Sequence, residues 1–309
     1  MPHSRRLMFA LLAASAVAWA EEPGTGNSFV GSEQCKTCHA NIWFTFYKNP
    51  HFRSVASGKE KPEDTGCESC HGPAKAHVEA HGGKATIVAF SALRADAVLN
   101  ACLRCHSAAI SRANIRRSPH TQNDVACNNC HSIHKAQTPK FLLARPESEL
   151  CYGCHANVRA EFSMTFKHRV NEGFMTCTDC HNPHGAFPAT WRMAERPRMV
   201  GTALANEEPC LKCHTDKRGP FVYEHPPVRV EGCEMCHYPH GSTNSRLLRR
   251  PVVFTMCLEC HNGAPPFGLH GSGDPRPSQT HNMTDPRYQN CTNCHVRIHG
   301  SNSDSLFMR

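Results

Sequence analysis

The sequence predicts an irregular, elongated fold of loops and short α-helices, with little or no β structure and without a conventional hydrophobic core. Two features of the composition lead to this prediction. The 309 residues include 20 Cys and 23 His, whereas hydrophobic residues make up 39% and aromatic residues only 7%. The 22 Pro and 20 Gly, with few alternating apolar runs, favour turns and loops over strands. Such a composition excludes an ordinary globular enzyme core.

Residues 1–20 have the features of a cleaved secretory signal. Two arginines precede an apolar stretch, and an Ala-x-Ala pattern ends at Ala20. The first cysteine, Cys35, lies too far downstream for a lipid anchor. No later stretch has the roughly 18 uninterrupted apolar residues that a spanning helix needs. The mature chain, residues 21–309, is therefore expected to be exported and soluble.

All 20 cysteines fall into ten Cys-x-x-Cys-His pentapeptides, numbered here as motifs 1 to 10 in chain order. The two thiols of such a motif can add to the vinyl groups of one haem, and the adjoining histidine then lies over the iron as an axial ligand. The paired cysteines are Cys35 and Cys38, Cys67 and Cys70, Cys102 and Cys105, Cys127 and Cys130, Cys151 and Cys154, Cys177 and Cys180, Cys210 and Cys213, Cys233 and Cys236, Cys257 and Cys260, and Cys291 and Cys294. The motif histidines are His39, His71, His106, His131, His155, His181, His214, His237, His261 and His295.

The motifs predict ten covalently attached c-type haems. About 29 residues are available for each haem, too few for a separate side-chain core, so the haems themselves must form the core of a multihaem cytochrome c fold. A zinc ribbon also uses Cys-x-x-Cys pairs, and an exported chain could form disulfides instead. Neither alternative requires a histidine directly after the second cysteine in all ten cases.

Bis-histidine ligation requires ten more histidines, and twelve lie outside the motifs and the signal. Ten of them follow a repeat, in which each odd motif is followed by a leading histidine, the even motif and a trailing histidine. The leading and trailing histidines are His51 and His77, His120 and His134, His168 and His184, His225 and His240, and His281 and His299. These ten are the predicted distal ligands, and His81 and His270 are left over. The five two-haem repeats cover residues 35–81, 102–134, 151–184, 210–240 and 257–299.

The spacing limits which iron each histidine can reach, because two axial ligands approach from opposite faces of the porphyrin. His184 follows His181 by three residues and cannot cross the ring to the same iron. We therefore expect each trailing histidine to bind the odd haem of its own repeat, and each leading histidine, such as His168, to bind the even haem just downstream. Each repeat would then be a self-contained pair. The alternative is that some loose histidines bond only to propionates or backbone, as expected for the two left over.

Short helices are expected to carry the motifs, with starts at Ser91, Ser148 and Asn206, where the sequence offers capping residues. The formal net charge of +8 falls to +6 without the two arginines of the signal. Ten ferric haems with ionised propionates would bring it to about −4. The basic balance is therefore not a nucleic-acid signal, and arginine clusters are expected to pair with propionates.

Several phrases carry a family resemblance. A CHGPxxxH pattern runs from motif 2 to His77, CHxPHG recurs in the later even motifs, and the chain ends in a CHVRIHGSN segment at residues 294–302. This sequence resembles the periplasmic decahaem c-type cytochromes of the Mtr, Pio and Dms type over essentially the whole mature chain. The resemblance also favours His77 over His81. Residues 262–279 depart from the family pattern, which leaves the ligand of the ninth haem open between His270 and His281, and we favour His281.

The resemblance implies a nearly linear wire of bis-histidine haems in the periplasm, inserted into an outer-membrane β-barrel porin. Its implied partners are that porin, an outer-surface multihaem cytochrome or reductase, and an inner-membrane quinol-oxidising cytochrome or other periplasmic cytochrome donors, with no nucleic acid. Such a wire serves respiration of metal oxides or sulfoxides, or oxidation of external iron. The direction of electron flow stays open.

Three classes of function are compatible with ten haems. An electron-transfer protein is favoured, because every iron has a histidine available on each face and no position is left for a substrate. A multihaem reductase of nitrite or a similar small molecule needs an open iron and often has a variant CxxCK motif, and none occurs here. The third class is a subunit of an extracellular cytochrome filament. The expectation is a protein that is not an enzyme.

Overall fold

The computed structural model describes residues 27–52, 61–108, 112–185, 209–261, 281–282 and 284–308. The chain divides into two compact units, which meet in sequence between Ala92 and Leu93. The predicted signal, the predicted helix start at Asn206 and the spare histidine His270 lie outside the described residues.

Each attachment motif forms one helical turn. The backbone N–H of the motif histidine donates to the carbonyl of the first cysteine, as in His39 to Cys35 at 2.8 Å and His295 to Cys291 at 2.9 Å. A helical turn brings residues three and four apart onto one face. Both cysteines and the following histidine therefore lie on the same side of the backbone, as attachment to a single haem requires.

The first unit consists of short helices joined by turns. Its α-helices are α1 (Ser32–Lys36), α2 (Ala40–Phe46), α3 (Glu68–His71) and α4 (Lys75–Glu79), with 3₁₀ turns at Pro62–Asp64, Lys84–Thr86 and Phe90–Ala92. Helix α1 begins after Gly31, whose φ of 85° is readily adopted only by glycine. Motif 1 begins in α1 and ends at His39, directly before α2, and motif 2 ends in α3.

Glu68 joins three segments of the first unit. The side chain is 2% exposed, and its carboxylate accepts the backbone N–H groups of Val30 at 3.0 Å, Gly31 at 2.7 Å and Ala74 at 2.9 Å. Buried charge is tolerated only when it is hydrogen-bonded in this way. Glu68 thus fixes the segment before motif 1 against the Gly-Pro loop after motif 2.

Replacing this carboxylate should destabilise the first unit strongly. In Glu68→Ala, one buried and two partly buried N–H groups lose their acceptor, so we expect a loss of about 3 kcal/mol in the free energy of unfolding. Denaturant unfolding followed by circular dichroism measures it. The matched control is Glu79→Ala, which removes an exposed ion pair with Lys75 and should cost under about 1 kcal/mol. Equal effects of the two variants would contradict this role for Glu68.

The second unit contains seven described α-helices and two short strands. The helices are α5 (Ala95–His106), α6 (Pro119–Gln122), α7 (Cys127–Cys130), α8 (Glu147–Tyr152), α9 (Ala156–Glu161), α10 (Pro226–Val230) and α11 (Val253–Leu258). The strands are β1 (Phe166–Lys167) and β2 (Gly241–Ser242). Further 3₁₀ turns lie at Ile115–Arg117, Lys140–Leu142, Cys177–Asp179, Pro209–Lys212, Thr215–Lys217, Cys233–Met235, Ser245–Leu247, Pro286–Tyr288 and Cys291–Asn293.

The predicted helix starts are close to the observed ones but not identical. Ser91 lies in a 3₁₀ turn, and α5 begins four residues later because Arg94 is extended, with ψ of 158°. Helix α8 begins at Glu147, one residue before the predicted Ser148, since Pro146 already supplies an extended residue before the first turn. The prediction of short helices and loops with little β structure is confirmed.

Side chains alone make only a small core. The buried hydrophobic residues among those described are Phe46, Ala74, Val98, Leu99, Ala126, Phe162 and Val170. Seven side chains are too few for a chain of this length. This scarcity agrees with the prediction that the cofactors form the core. Across the described ranges, no helix has both the length and the apolar character required to cross a membrane.

Two short antiparallel contacts follow the same plan in the second unit. Strands β1 and β2 pair Phe166 with Ser242, and an isolated bridge pairs Tyr223 with Ser301. In both cases the serine comes two residues after a trailing histidine, and its partner comes shortly after the odd motif of the preceding repeat. The trailing His-Gly-Ser segment of one repeat therefore docks against the repeat before it.

Candidate haem sites

Eight motif histidines lie opposite a loose histidine, with ring centres 6.0 to 6.4 Å apart. The pairs are His39 with His77, His131 with His184, His155 with His120, His181 with His240, His214 with His168, His237 with His299, His261 with His225, and His295 with His281. Metal–imidazole bonds of about 2 Å on opposite faces of one ion place the ring centres about 6 Å apart. Within the described ranges no three His, Cys, Asp or Glu side chains converge on one point. Two imidazoles per site fit an iron that holds four porphyrin nitrogens.

Hydrogen bonds orient these rings through Nδ1. His71 bonds to the Val88 carbonyl at 2.7 Å, and His168 bonds to the Pro239 carbonyl at 2.6 Å. A carbonyl oxygen only accepts, so Nδ1 carries the proton and donates. The same geometry leaves Nε2 unprotonated and directed away from the backbone, as an iron ligand needs.

Left-handed turns hold the motif histidines of three even motifs. His131 donates from Nδ1 to the Phe141 carbonyl at 2.6 Å, and His237 donates to the Arg246 carbonyl at 2.8 Å. Phe141 and Arg246 have φ of 61° and 57°, which turns the carbonyl inward. His295 makes the equivalent bond at 2.6 Å, to Leu306. The repeated FLLARP and RLLRRP connectors thus position the histidine of the motif before them.

Burial keeps several of these rings neutral. Burial, followed by the neighbouring His131 and the positive charge of Arg112, lowers the pKa of His184 to about 4. Burial and the charge of Lys217 likewise lower the pKa of His299 to about 4. A neutral imidazole is the form that binds a metal. These histidines are therefore ready to ligate at neutral pH without losing a proton.

Within a repeat, the first cysteines of the odd and even motifs contact each other. The thiols of Cys35 and Cys67 share a hydrogen bond, which lowers the pKa of Cys67 to about 7 despite its burial. The same contact joins Cys102 with Cys127, Cys151 with Cys177, and Cys257 with Cys291. The two attachment sites of a repeat are therefore immediate neighbours.

Between repeats, the second cysteines are close. Burial and the field of Cys154 raise the pKa of Cys130, and burial and the field of Cys260 raise that of Cys236. The field of Cys213 also raises the pKa of Cys180, although burial and the charge of Asp179 have larger effects on that pKa. Motifs that follow one another in the sequence thus lie beside one another in the second unit.

The predicted pairing of ligands within each repeat is wrong for six of the loose histidines of the second unit, His120, His168, His184, His225, His240 and His299. His168 lies opposite His214 of motif 7 rather than His181 of motif 6, and His184 lies opposite His131 rather than His155. Neighbouring repeats instead exchange histidines: a leading histidine lies opposite the histidine of the next odd motif, and a trailing histidine lies opposite that of the previous even motif.

The docking of the trailing segments explains this exchange. His168 donates to the carbonyl of Pro239, the residue directly before the trailing His240 of the next repeat. His120 makes the same bond to Pro183, directly before His184. A leading histidine is therefore held beside the trailing histidine of the next repeat. Their rings face motifs on either side of the junction, which is the boundary between the two repeats.

At each end of the chain one pair stays within its repeat. His77 lies opposite His39 as expected, and His81, at φ of 52°, is outside this pair. His281 lies opposite His295 of motif 10. The preference for His281 as ligand of the ninth haem is therefore wrong, because His225 lies opposite the histidine of motif 9. The roles predicted for His51 and His134 stay predictions.

Comparison with known proteins agrees with this architecture. A family model for the doubled CXXCH motif matches residues 118–160 and 225–265, and a model for cytochrome c554 and c-prime matches residues 75–132. These matches and the motifs define a multihaem c-type cytochrome that carries covalently bound haem c, with 20 cysteines that fit ten attachment sites.

A relative identifies the family more narrowly. The chain is 34% identical over 288 residues to the multiheme cytochrome MtrA of Shewanella baltica strain OS185, an alignment that covers 89% of this chain and 80% of the relative. The chain belongs to the family of that cytochrome. Its general role is accordingly electron transfer.

Proposed function

We propose that this protein is a periplasmic electron wire of ten bis-histidine haems that works inside an outer-membrane porin. The observation that carries the proposal is the set of eight imidazole pairs with ring centres 6.0 to 6.4 Å apart. Bound haem c would supply reversible one-electron Fe(III)/Fe(II) chemistry. Each imidazole pair would hold an iron from both sides, so no open position would remain there for a substrate, and the proposed role is conduction rather than catalysis.

The proposal assigns a ligand role to all twenty predicted histidines and an attachment role to all twenty cysteines. Eight of the motif histidines and eight of the loose histidines are supported by their pairing, and His71 and His106 are assigned by their motifs alone. His51 and His134 complete the set of twenty, as the count of loose histidines requires. The two spare histidines have no part in it.

The order of the attachment sites supports conduction along the chain. Electron tunnelling falls off exponentially with the gap between cofactor edges, so a wire needs each site beside the next. The contact of Cys151 with Cys177 within a repeat, and the proximity of Cys130 to Cys154 between repeats, provide that succession. Within the second unit, these motifs are neighbours both in sequence and in space.

The chemistry of the protein surface supports a porin as the partner. Propionates and charged side chains are too costly to expose to lipid. A closed β-barrel is a spanning structure that could enclose such a chain. The proposed partners are therefore this porin, a donor cytochrome on the periplasmic side and a multihaem cytochrome or reductase at the cell surface.

Reconstitution tests the proposal. The haem-loaded protein and its cognate porin are inserted together into liposomes that enclose an oxidant dye, and a membrane-impermeant reductant is added outside. The dye should be reduced only when both proteins are present. Porin alone and the cytochrome alone serve as controls. Rapid turnover of nitrite by the isolated protein, with no reduction through the complex, would overturn the proposal in favour of a reductase.

A further inference from the structure

His240 differs from the other oriented histidines in the acceptor of its ring hydrogen bond. His120, His168 and His237 donate to backbone carbonyls. The Nδ1 of His240 instead lies 2.7 Å from a carboxylate oxygen of Glu161. His240 lies opposite a motif histidine, and its ring nitrogen bonds to a carboxylate, that of Glu161. Sequence reasoning missed it, because a glutamate at a helix end resembles any solvated charge.

The fold holds the carboxylate and the ring together. Glu161 is the last residue of α9, which begins directly after the histidine of motif 5. The next residue, Phe162, is buried and packs against His240 with ring centres 5.0 Å apart. The residue after His240, Gly241, begins β2, which pairs with β1 a few residues beyond Glu161. The contact is thus fixed by backbone on both sides.

A carboxylate acceptor changes the ligand more than a carbonyl does. A charge-assisted hydrogen bond is about twice as strong as a neutral one. Donation of the Nδ1 proton toward Glu161 gives the imidazole partial imidazolate character and makes Nε2 a stronger electron donor. A stronger donor stabilises Fe(III) relative to Fe(II).

We propose that Glu161 is a tuning residue that lowers the reduction potential of the haem at motif 6. This inference rests on the proposed ligation of that haem by His181 and His240, whose ring centres are 6.0 Å apart. Glu161 acts through His240 and does not itself touch the iron. The site at motif 6 is then a low-potential step within the wire.

The equivalent positions in the neighbouring repeats argue that this tuning is specific to one site. Glu161 stands six residues after the histidine of motif 5, and the residue six places after the histidine of motif 7 is Pro220, which has no polar side chain. Six places after the histidine of motif 3 stands Arg112, a cation close enough to act on His184. At this one position, three copies of the scaffold thus carry an anion, an uncharged residue and a cation.

The test is a redox titration of the fully loaded protein, followed by optical and low-temperature EPR spectroscopy. In Glu161→Gln, which keeps the size of the side chain but removes its charge, one of the ten haems should become easier to reduce. We expect its reduction equilibrium constant to rise by roughly tenfold, which is about 59 mV for one electron. The g values of one low-spin signal should change as well. Glu161→Asp, which keeps the charge, should lie between the two proteins.

The matched control is Glu172→Gln. Glu172 forms an ion pair with Lys167 at 3.0 Å. Its replacement by glutamine removes the same charge from the same part of the chain without touching a ligand. If Glu161→Gln changes the potentials and g values no more than Glu172→Gln does, the inference is overturned.

His240→Ala separates this failure from a failure of the ligation itself. If His240→Ala converts one iron to a high-spin form while Glu161→Gln has no effect, the ligation holds and the tuning is wrong. If all ten irons stay low-spin in His240→Ala, the proposed ligation of motif 6 fails, and the tuning fails with it.

Discussion

His168→Ala is expected to leave the iron of motif 7, rather than that of motif 6, without its distal ligand. The His168 ring lies 6.3 Å from that of His214 and is held by the Pro239 carbonyl at 2.6 Å. Alanine removes the ligand, and no other loose histidine pairs with His214 among the described residues. One iron in ten should become five-coordinate or water-bound, and the other nine should keep their low-spin spectra. EPR and magnetic circular dichroism count the high-spin fraction.

Removing one attachment site at a time identifies the affected iron. In a background without motif 7, made by replacing Cys210 and Cys213 with alanine, His168→Ala should produce no new high-spin signal. In a background without motif 6, made by replacing Cys177 and Cys180, the signal should persist. The reverse result would restore the pairing within repeats. His81→Ala should leave every iron unchanged, as a control for the loss of a histidine.

The residue types of the candidate haem sites could be predicted from the sequence, but the pairing of the histidines could not. The position of a histidine directly after two cysteines follows from chemistry that is local to five residues, and the count of loose histidines follows from composition. Which iron a loose histidine reaches depends on contacts between distant segments, such as the bond from His168 to Pro239 across 71 residues. Spacing excluded only the nearest iron, so the assumption that each repeat closes on itself had no physical support.

The groups that orient these histidines could not be predicted from the sequence either. The repetition of FLLARP and RLLRRP marked the connectors as structural, but their effect depends on residues such as Phe141 and Arg246 adopting positive φ. That conformation is rarely adopted by residues other than glycine and is not readable from their side chains. Glu68 was hidden for another reason: a glutamate inside an attachment motif gives no sign that three backbone amides surround it.

With the proposed ligation, exchange of ligands between repeats would make the second unit cooperative. Each junction would contribute one ligand to the repeat on either side, so no repeat from motif 5 to motif 8 would have all of its ligands without its neighbours. Disruption of a single junction should therefore weaken the ligation of the haems on both sides of it. The junction between the third and fourth repeats, where β2 meets β1, is the place to test this, because the backbones approach closely there.

Gly241→Ala should disrupt that junction by steric overlap alone. A Cβ at this position would overlap the backbone carbonyl oxygen of Glu161, which cannot move without displacing α9. Forcing such overlap in packed structure costs about 3 kcal/mol or more. The displaced segment carries His240, so the iron of motif 6 should lose its low-spin signal in part of the population. Guanidinium unfolding and EPR spectroscopy measure the two effects.

Two other glycines separate overlap from the general cost of replacing glycine. Gly173 has φ of 77° and no atom within 4 Å of a Cβ, so Gly173→Ala should cost only about 1 kcal/mol of backbone strain and leave all irons low-spin. Gly300 takes the place of Gly241 one repeat later, but a Cβ there would meet the ring of Phe221. A side chain can rotate where a backbone carbonyl cannot, so Gly300→Ala, which adds backbone strain at φ of 141° to this milder overlap, should lie between the two. If Gly241→Ala were no worse than Gly173→Ala, trailing segments would not depend on close backbone contact, and the exchange of ligands would need another cause.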